Sequence, residues 1–146
     1  MTAQRYVKPA RADEIFSRAI TAVTKLGVSV AGSRILAVRG RKSGEWRTVP
    51  VNLLTLDGRR YLVAPRGHTQ WVRNMRAAGG GELRLGRRAE PFTVAELDDA
   101  DKLPVLRAYL KRWGWEVGRF FEGVTASATD DELRAIASGF PVFRVV

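Results

Sequence analysis

Arg41, Lys42, Ser43 and Arg47 are the densest group of side chains in the chain that could do chemistry. Three cations and a hydroxyl stand in a stretch punctuated by Gly40 and Gly44, between two apolar runs that read as strands. Cations and backbone N–H groups together recognise phosphate or carboxylate through charge-assisted hydrogen bonds. Glycine lets such a loop turn tightly and lets a ligand approach the backbone. A solvated, positively charged hairpin uses the same residue types, and composition does not choose between the two. Arg41 and Lys42 are expected to be exposed, so that removing them costs little stability. Arg66 and Arg73 join the group only if their loops converge on it. Trp71 and Asn74, three apart in a short helix, put an aromatic face and an amide on one side of it.

Other catalytic signals are sparse. His68 is the only histidine, so a Ser-His-Asp triad or a histidine metal site would have to be built around one imidazole. It follows Gly67 in a turn, where a solvated ring and a functional one are both open readings. Cysteine is absent, which excludes disulfides and thiolate metal sites, and no metal is expected. Asp98/Asp99 and Asp130/Asp131 lie at helix starts, where the macrodipole and capping explain them better than acid–base catalysis. Gly79-Gly80-Gly81 reads as a helix stop. Neither GxxxxGK[ST] nor GxGxxG after a strand occurs.

The elements that must position these residues follow from periodicity. Residues 11–26 predict an amphipathic helix, with Ile15, Phe16, Ala19, Ile20 and Val23 on one face. Ile35–Arg39, Thr48–Leu56 and Arg60–Ala64 read as strands, the last two joined by the turn Asp57-Gly58. Thr69–Ala78 reads as a helix, and Glu82–Leu85 with Ala89–Leu97 as a hairpin across Gly86-Arg87-Arg88. Ala100–Trp113 and Asp130–Ser138 read as helices, the second capped by Thr129 with Glu132 three residues on. Phe140–Val146 is a closing strand. Antiparallel hairpins with peripheral helices imply a small α+β barrel.

The chain of 146 residues is expected to form one domain over 1–146, with an N-terminal helical segment over 1–34. Hydrophobic residues make up 45%, as in globular proteins. No apolar run approaches the roughly 18 residues of a membrane span, and Met1–Arg5 lacks the apolar core of a secretory signal. A cytoplasmic location is therefore expected, with peripheral membrane contact through the 11–26 helix as the alternative. The net charge of +10, from 25 Lys+Arg against 15 Asp+Glu, favours nucleic acid, anionic lipid or a highly charged cofactor as partner. No helix-turn-helix, zinc or RNP pattern supports sequence-specific nucleic-acid binding.

The stretch Arg39–Asn74 resembles the deazaflavin-dependent nitroreductase family, actinobacterial split-barrel reductases that use coenzyme F420. The family marker G-R-K-[ST]-G-x-x-R-x-x-P stands as Gly40-Arg41-Lys42-Ser43-Gly44-Glu45-Trp46-Arg47-Thr48-Val49-Pro50. A second, V-A-[SP]-[KR]-G followed by W-x-x-N, stands as Val63-Ala64-Pro65-Arg66-Gly67 and Trp71-Val72-Arg73-Asn74. The resemblance implies an α+β split β-barrel, like the flavin-reductase and FMN-binding barrels, with peripheral helices. It gives the cofactor phosphate and oligoglutamate tail to Arg41, Lys42, Ser43, Gly44 and Arg47. It gives the deazaflavin ring to Pro50, Asn52, Ala64, Pro65 and Arg66, with Gln70 and Trp71 nearby, and counts Thr48 and Asn74 in the same cofactor set. Function then follows as hydride transfer from reduced F420 to an electron-poor acceptor: a quinone, an enone or unsaturated lactone, or a nitroheterocycle. No protein nucleophile is required, because the cofactor carries the reaction. FMN in the same barrel and a non-catalytic deazaflavin carrier are the alternatives. An apolar substrate wall would fall to Tyr109, Trp113, Trp115, Phe120 and Phe121, with His68 beside it and core packing as the competing role. The natural substrate and the oligomeric state stay open.

Overall fold

A computed structural model of the chain describes residues 5–6, 32–121 and 123–146. The helix expected over 11–26 lies outside the described residues. Six strands form, β1 (Ser33–Arg39), β2 (Trp46–Leu56), β3 (Arg59–Val63), β4 (Gly80–Leu85), β5 (Arg88–Glu96) and β6 (Val142–Val145). Among the described residues three helices accompany them, α1 (Gln70–Ala78), α2 (Leu103–Val117) and α3 (Asp130–Ile136). Hydrogen bonding orders the strands β1-β2-β3-β6-β5-β4 in a closed barrel, the α+β barrel that the hairpins imply. The residues fall into two compact units, each drawn from separated stretches of chain.

One unit holds residues 32–53, Gln70–Ala95 and Val145–Val146. At its centre is β1, where Ile35, Leu36, Ala37 and Val38 are all buried. A continuous apolar run of this kind requires cover on both faces of the strand. β1 is flanked in register by β2 (Ile35↔Pro50, Arg39↔Trp46) and by β4 (Ala37↔Glu82). Helix α1 packs against β1 and β4 and buries Val72 and Met75, three apart on one face.

The helix stop expected over Gly79-Gly80-Gly81 holds only at Gly79, whose N–H donates to Met75 O at 2.7 Å. Gly80 and Gly81 instead open β4, and the reason is steric. A Cβ on Gly81 would run into the carbonyl oxygen of Ala37, and one on Gly80 into that of Phe92. Strand β4 lies too close to β1 at Gly81, and to β5 at Gly80, for a side chain.

The other unit holds Leu54–Thr69 and Glu96–Arg144, with Arg5 and Tyr6. β3 and β6 pair in it (Tyr61↔Arg144, Val63↔Val142). Asp57 and Gly58 both take left-handed φ, 52° and 75°, as the expected two-residue hairpin turn demands. The helix expected over Ala100–Trp113 is displaced. Asp99–Asp101 form a 3-10 turn, and α2 begins at Leu103 with Pro104 in its first turn. Proline is favoured there because a first-turn N–H has no intrahelical acceptor to lose. Helix α2 runs on to Val117, completing a buried stripe of Leu103, Leu106, Leu110, Trp113 and Val117.

Thr129 caps α3 as expected. Its Oγ accepts from Glu132 N at 3.2 Å, and the Glu132 carboxylate accepts from Thr129 N at 3.0 Å. The helix gives way to a 3-10 turn over Ala137–Gly139, so it ends before Ser138. The final strand starts at Val142 rather than Phe140, because Pro141 has no N–H to pair and Phe140 turns into the core. Phe140 stacks on Phe121, centroids 4.1 Å apart. Lys102 is buried with its ammonium satisfied by Asp99 Oδ1 at 2.7 Å and Ala137 O at 3.0 Å. Among the described residues no helix is long and apolar enough to cross a membrane.

Candidate anion-binding site

The basic loop connects β1 to β2 directly after the pair Arg39↔Trp46. Its backbone closes on itself: Gly40 N donates to Glu45 O at 2.8 Å, and Gly44 N to Gly40 O at 2.9 Å. Gly44 sits at φ +73°, a conformation that other residues adopt only with strain. Ser43 Oγ accepts from Glu45 N at 3.2 Å, which leaves the hydroxyl proton for a ligand. At the base of the loop, Arg39 lies over the Trp46 ring at 4.0 Å and donates to Gly44 O at 3.1 Å. Arg84 lies over the same ring at 5.2 Å.

The cations are not equivalent. Arg41 is docked on α1. Its backbone N and its Nη1 both donate to Asn74 Oδ1, at 3.1 and 2.8 Å, and its Nη2 donates to Gln70 Oε1 at 3.0 Å. Gln70 and Asn74 lie one helical turn apart on the same side of α1. Lys42 and Arg47 are exposed and have no protein partner among the described residues. Two uncommitted cations, the remaining N–H groups of Arg41 and the Ser43 hydroxyl form a donor set that suits a phosphate or a carboxylate. A deazaflavin cofactor with a phosphodiester and an acidic tail therefore fits the residues present.

In the same unit, Thr48 is exposed, and Pro50 and Asn52 are half-buried on β2, opposite Ile35 and Ser33. Trp71 is half-buried on α1.

The remaining expected residues lie in the other unit. Ala64 is buried, its N–H donating to Pro141 O at 2.9 Å. Pro65 O accepts from Arg5 Nη1 at 2.7 Å. The guanidinium groups of Arg66 and Arg119 lie over the half-buried Phe120 ring at 4.5 and 4.6 Å. His68 is not a solvated loop residue: its backbone N donates to Arg5 O at 2.7 Å, and its Nε2 is 3.2 Å from Ser138 O. A carbonyl only accepts, so Nε2 carries the proton. Tyr109, Trp113 and Phe121 are buried to within 2% in one core cluster. Their burial favours core packing, the role that competes with the substrate wall at these three. Trp115 is the opposite case, 71% exposed, with Nε1 donating to Arg112 O.

The helix-start carboxylates make ion pairs rather than the expected capping bonds, and Asp98 makes no side-chain cap hydrogen bond. Asp99 pairs with Lys102, Asp130 with Arg107 at 2.9 Å and Asp131 with Arg134 at 2.8 Å. Sequence reasoning missed Arg5, which also reaches Phe120 O at 2.7 Å and lies over the Phe140 ring. It missed the Arg39–Trp46–Arg84 stack as well. No local pattern announces either, since both depend on residues brought together by the fold.

Strand order and helices place the chain in the class of split β-barrels. Solved structures share that fold. An F420-H2 dependent reductase (FDR-A) is 19% identical, covers 79% of this chain and 94% of its own, and superposes with a TM-score of 0.55. A domain-swapped dimer is 17% identical over 94% of this chain and 100% of its own, TM-score 0.59. A FAD-binding protein from Mesorhizobium loti is 18% identical over 86% of each chain, TM-score 0.51. Identities this low speak for the fold alone. The profile of the F420H(2)-dependent quinone reductases matches residues 11–132, and the chain belongs to that family. Curated protein sequences give no match. The family is one of oxidoreductases and implies coenzyme F420, in agreement with the resemblance carried by the two motifs.

Proposed function

We propose that this protein is an F420H2-dependent reductase of quinone-type acceptors, and that the loop from Arg41 to Gly44, with Arg47, holds the phosphate and acidic tail of the cofactor. The observation that carries the reading is the contrast within the loop. Lys42 and Arg47 have no protein partner among the described residues, beside an Arg41 already fixed by α1. Exposed cations on the loop and at the start of β2 leave their charge unmatched by protein, and an anion would match it. Thr48, Pro50 and Asn52 on β2 and Trp71 on α1 are assigned to the same cofactor. In the other unit the resemblance assigns Ala64, Pro65 and Arg66 to it.

When bound, reduced deazaflavin supplies a hydride, and a solvent proton completes the two-electron reduction of the acceptor. The protein binds and orients; it needs no nucleophile. Quinones are the first choice of acceptor, with enones, unsaturated lactones and nitroheterocycles as further members of the same electron-poor class.

Two measurements test this. Anaerobic mixing of reduced F420 with a panel of these acceptors should oxidise the cofactor, fastest with a quinone. Binding without oxidation on any of them would make the protein a deazaflavin carrier. In a parallel titration F420 should bind more tightly than FMN, which has one phosphate and no acidic tail. Tighter FMN binding would overturn the cofactor assignment.

A further inference from the structure

Asn74 belongs by motif to the cofactor set, yet its geometry gives it a different task. We propose that Asn74, seconded by Gln70, is a positioning residue: it presets the Arg41 guanidinium for the anion and acts on the cofactor through Arg41. The inference rests on the proposed role of the basic loop. Asn74 is 95% buried in α1, being 5% exposed. Its Oδ1 takes both the backbone N and Nη1 of Arg41, at 3.1 and 2.8 Å. An amide oxygen has two lone pairs, so it is fully occupied, and the two donors fix which way the amide points. Gln70 Oε1 holds the second arm of the fork at 3.0 Å.

The chemistry of the tethers is the second part of the inference. Both are neutral amides. A carboxylate at either position would hold the fork as well, but would neutralise it. Amides restrict the rotamers of a long, exposed side chain in advance and leave its full charge for the ligand. The remaining N–H donors of Arg41 stay free to meet an anion.

The test measures the dissociation constant of oxidised F420 by calorimetry, across salt concentrations, in single and double variants. Asn74→Ala should weaken binding by about tenfold, the value of one charge-assisted hydrogen bond made less well. Gln70→Ala should weaken it less and, because Gln70 is exposed, leave the fold intact. Both keep the Arg41 charge, so the dependence of affinity on salt should stay near wild type, whereas Arg41→Ala should flatten it. Gln70→Glu should weaken binding despite keeping the tether.

In the Arg41→Ala background, Gln70→Ala should have no further effect. Asn74→Ala should there retain only the part due to the loop backbone. Losses that multiply independently would mean that Asn74 touches the cofactor directly, through its amide nitrogen, and would overturn the proposal. So would a folded Asn74→Ala protein with unchanged affinity. If Asn74→Ala fails to fold, the Gln70 cycle decides alone. An Arg41→Ala variant with unchanged affinity would remove the role of the loop itself, a failure distinct from the others.

Discussion

Lys42 and Arg47 differ from Arg41 in having no protein partner among the described residues, so their removal should separate binding from stability. A charge-assisted hydrogen bond is worth roughly 1.5–3 kcal/mol, and losing two should raise the F420 dissociation constant on the order of a hundredfold, less solvent screening. The melting temperature of Lys42→Ala/Arg47→Ala should hardly move, as for other exposed positions. The loss should shrink as salt rises, and shrink again for a cofactor without its glutamates. Unchanged affinity in this folded variant would make the loop an ordinary solvated hairpin. Arg41 is a different matter. It is exposed, as the sequence implies, but two side-chain hydrogen bonds tie it to α1 beside a third from its backbone N–H, so loss of the side chain should cost stability too, about 1 kcal/mol. The motif made the cations legible. Which of them are committed was not legible, because their partners lie about thirty residues away in sequence, at separations of 29 and 33.

Among the elements, α3 was readable from Thr129 and Glu132 because a capping box is local chemistry. Thr129→Ala should cost ~1 kcal/mol in urea unfolding. The Glu132 carboxyl is held below its ordinary value of 4.5 by the Thr129 backbone N–H first and the Thr129 side chain second. A lowered folded pKa means that the box contributes above 4.5 and is lost as pH falls through the folded value. Wild-type stability should therefore drop more steeply below that pH than the stability of Glu132→Gln; parallel curves would show that the carboxylate contributes nothing. Gly80 and Gly81 were misread for the converse reason. Nothing in Gly79-Gly80-Gly81 says that Ala37 O and Phe92 O will stand where two Cβ atoms would go. Gly81→Ala should destabilise the protein by about 1–3 kcal/mol, the usual range for overpacking, whereas a true helix stop would tolerate alanine at this third position.

For the whole molecule, alternation, turn signals and helical stripes were enough to imply an α+β barrel. The substrate wall was not readable. An aromatic on a helix stripe looks alike whether it faces a core or a ligand, and Tyr109, Trp113 and Phe121 face the core. The chain passes repeatedly from one compact unit to the other, so neither can be excised as a continuous segment. We propose that 1–146 is a single domain in the thermodynamic sense. Heat or urea should unfold it in one transition, with tryptophan emission and far-ultraviolet dichroism coincident. Two resolved transitions would show that the units melt separately.

Trp46 carries one guanidinium over its ring at 4.0 Å and another at 5.2 Å, and the nearer one also grips the Gly44 carbonyl. The excited state of indole is more polar than its ground state, so its colour reports the electric field of nearby charge. Of the other tryptophans, Trp113 is sealed in the core, Trp115 stands in solvent and Trp71 is half-buried on α1. Trp46 thus gives the loop an optical probe: an anion arriving beside Arg39, as proposed, should shift its emission without having to touch the ring.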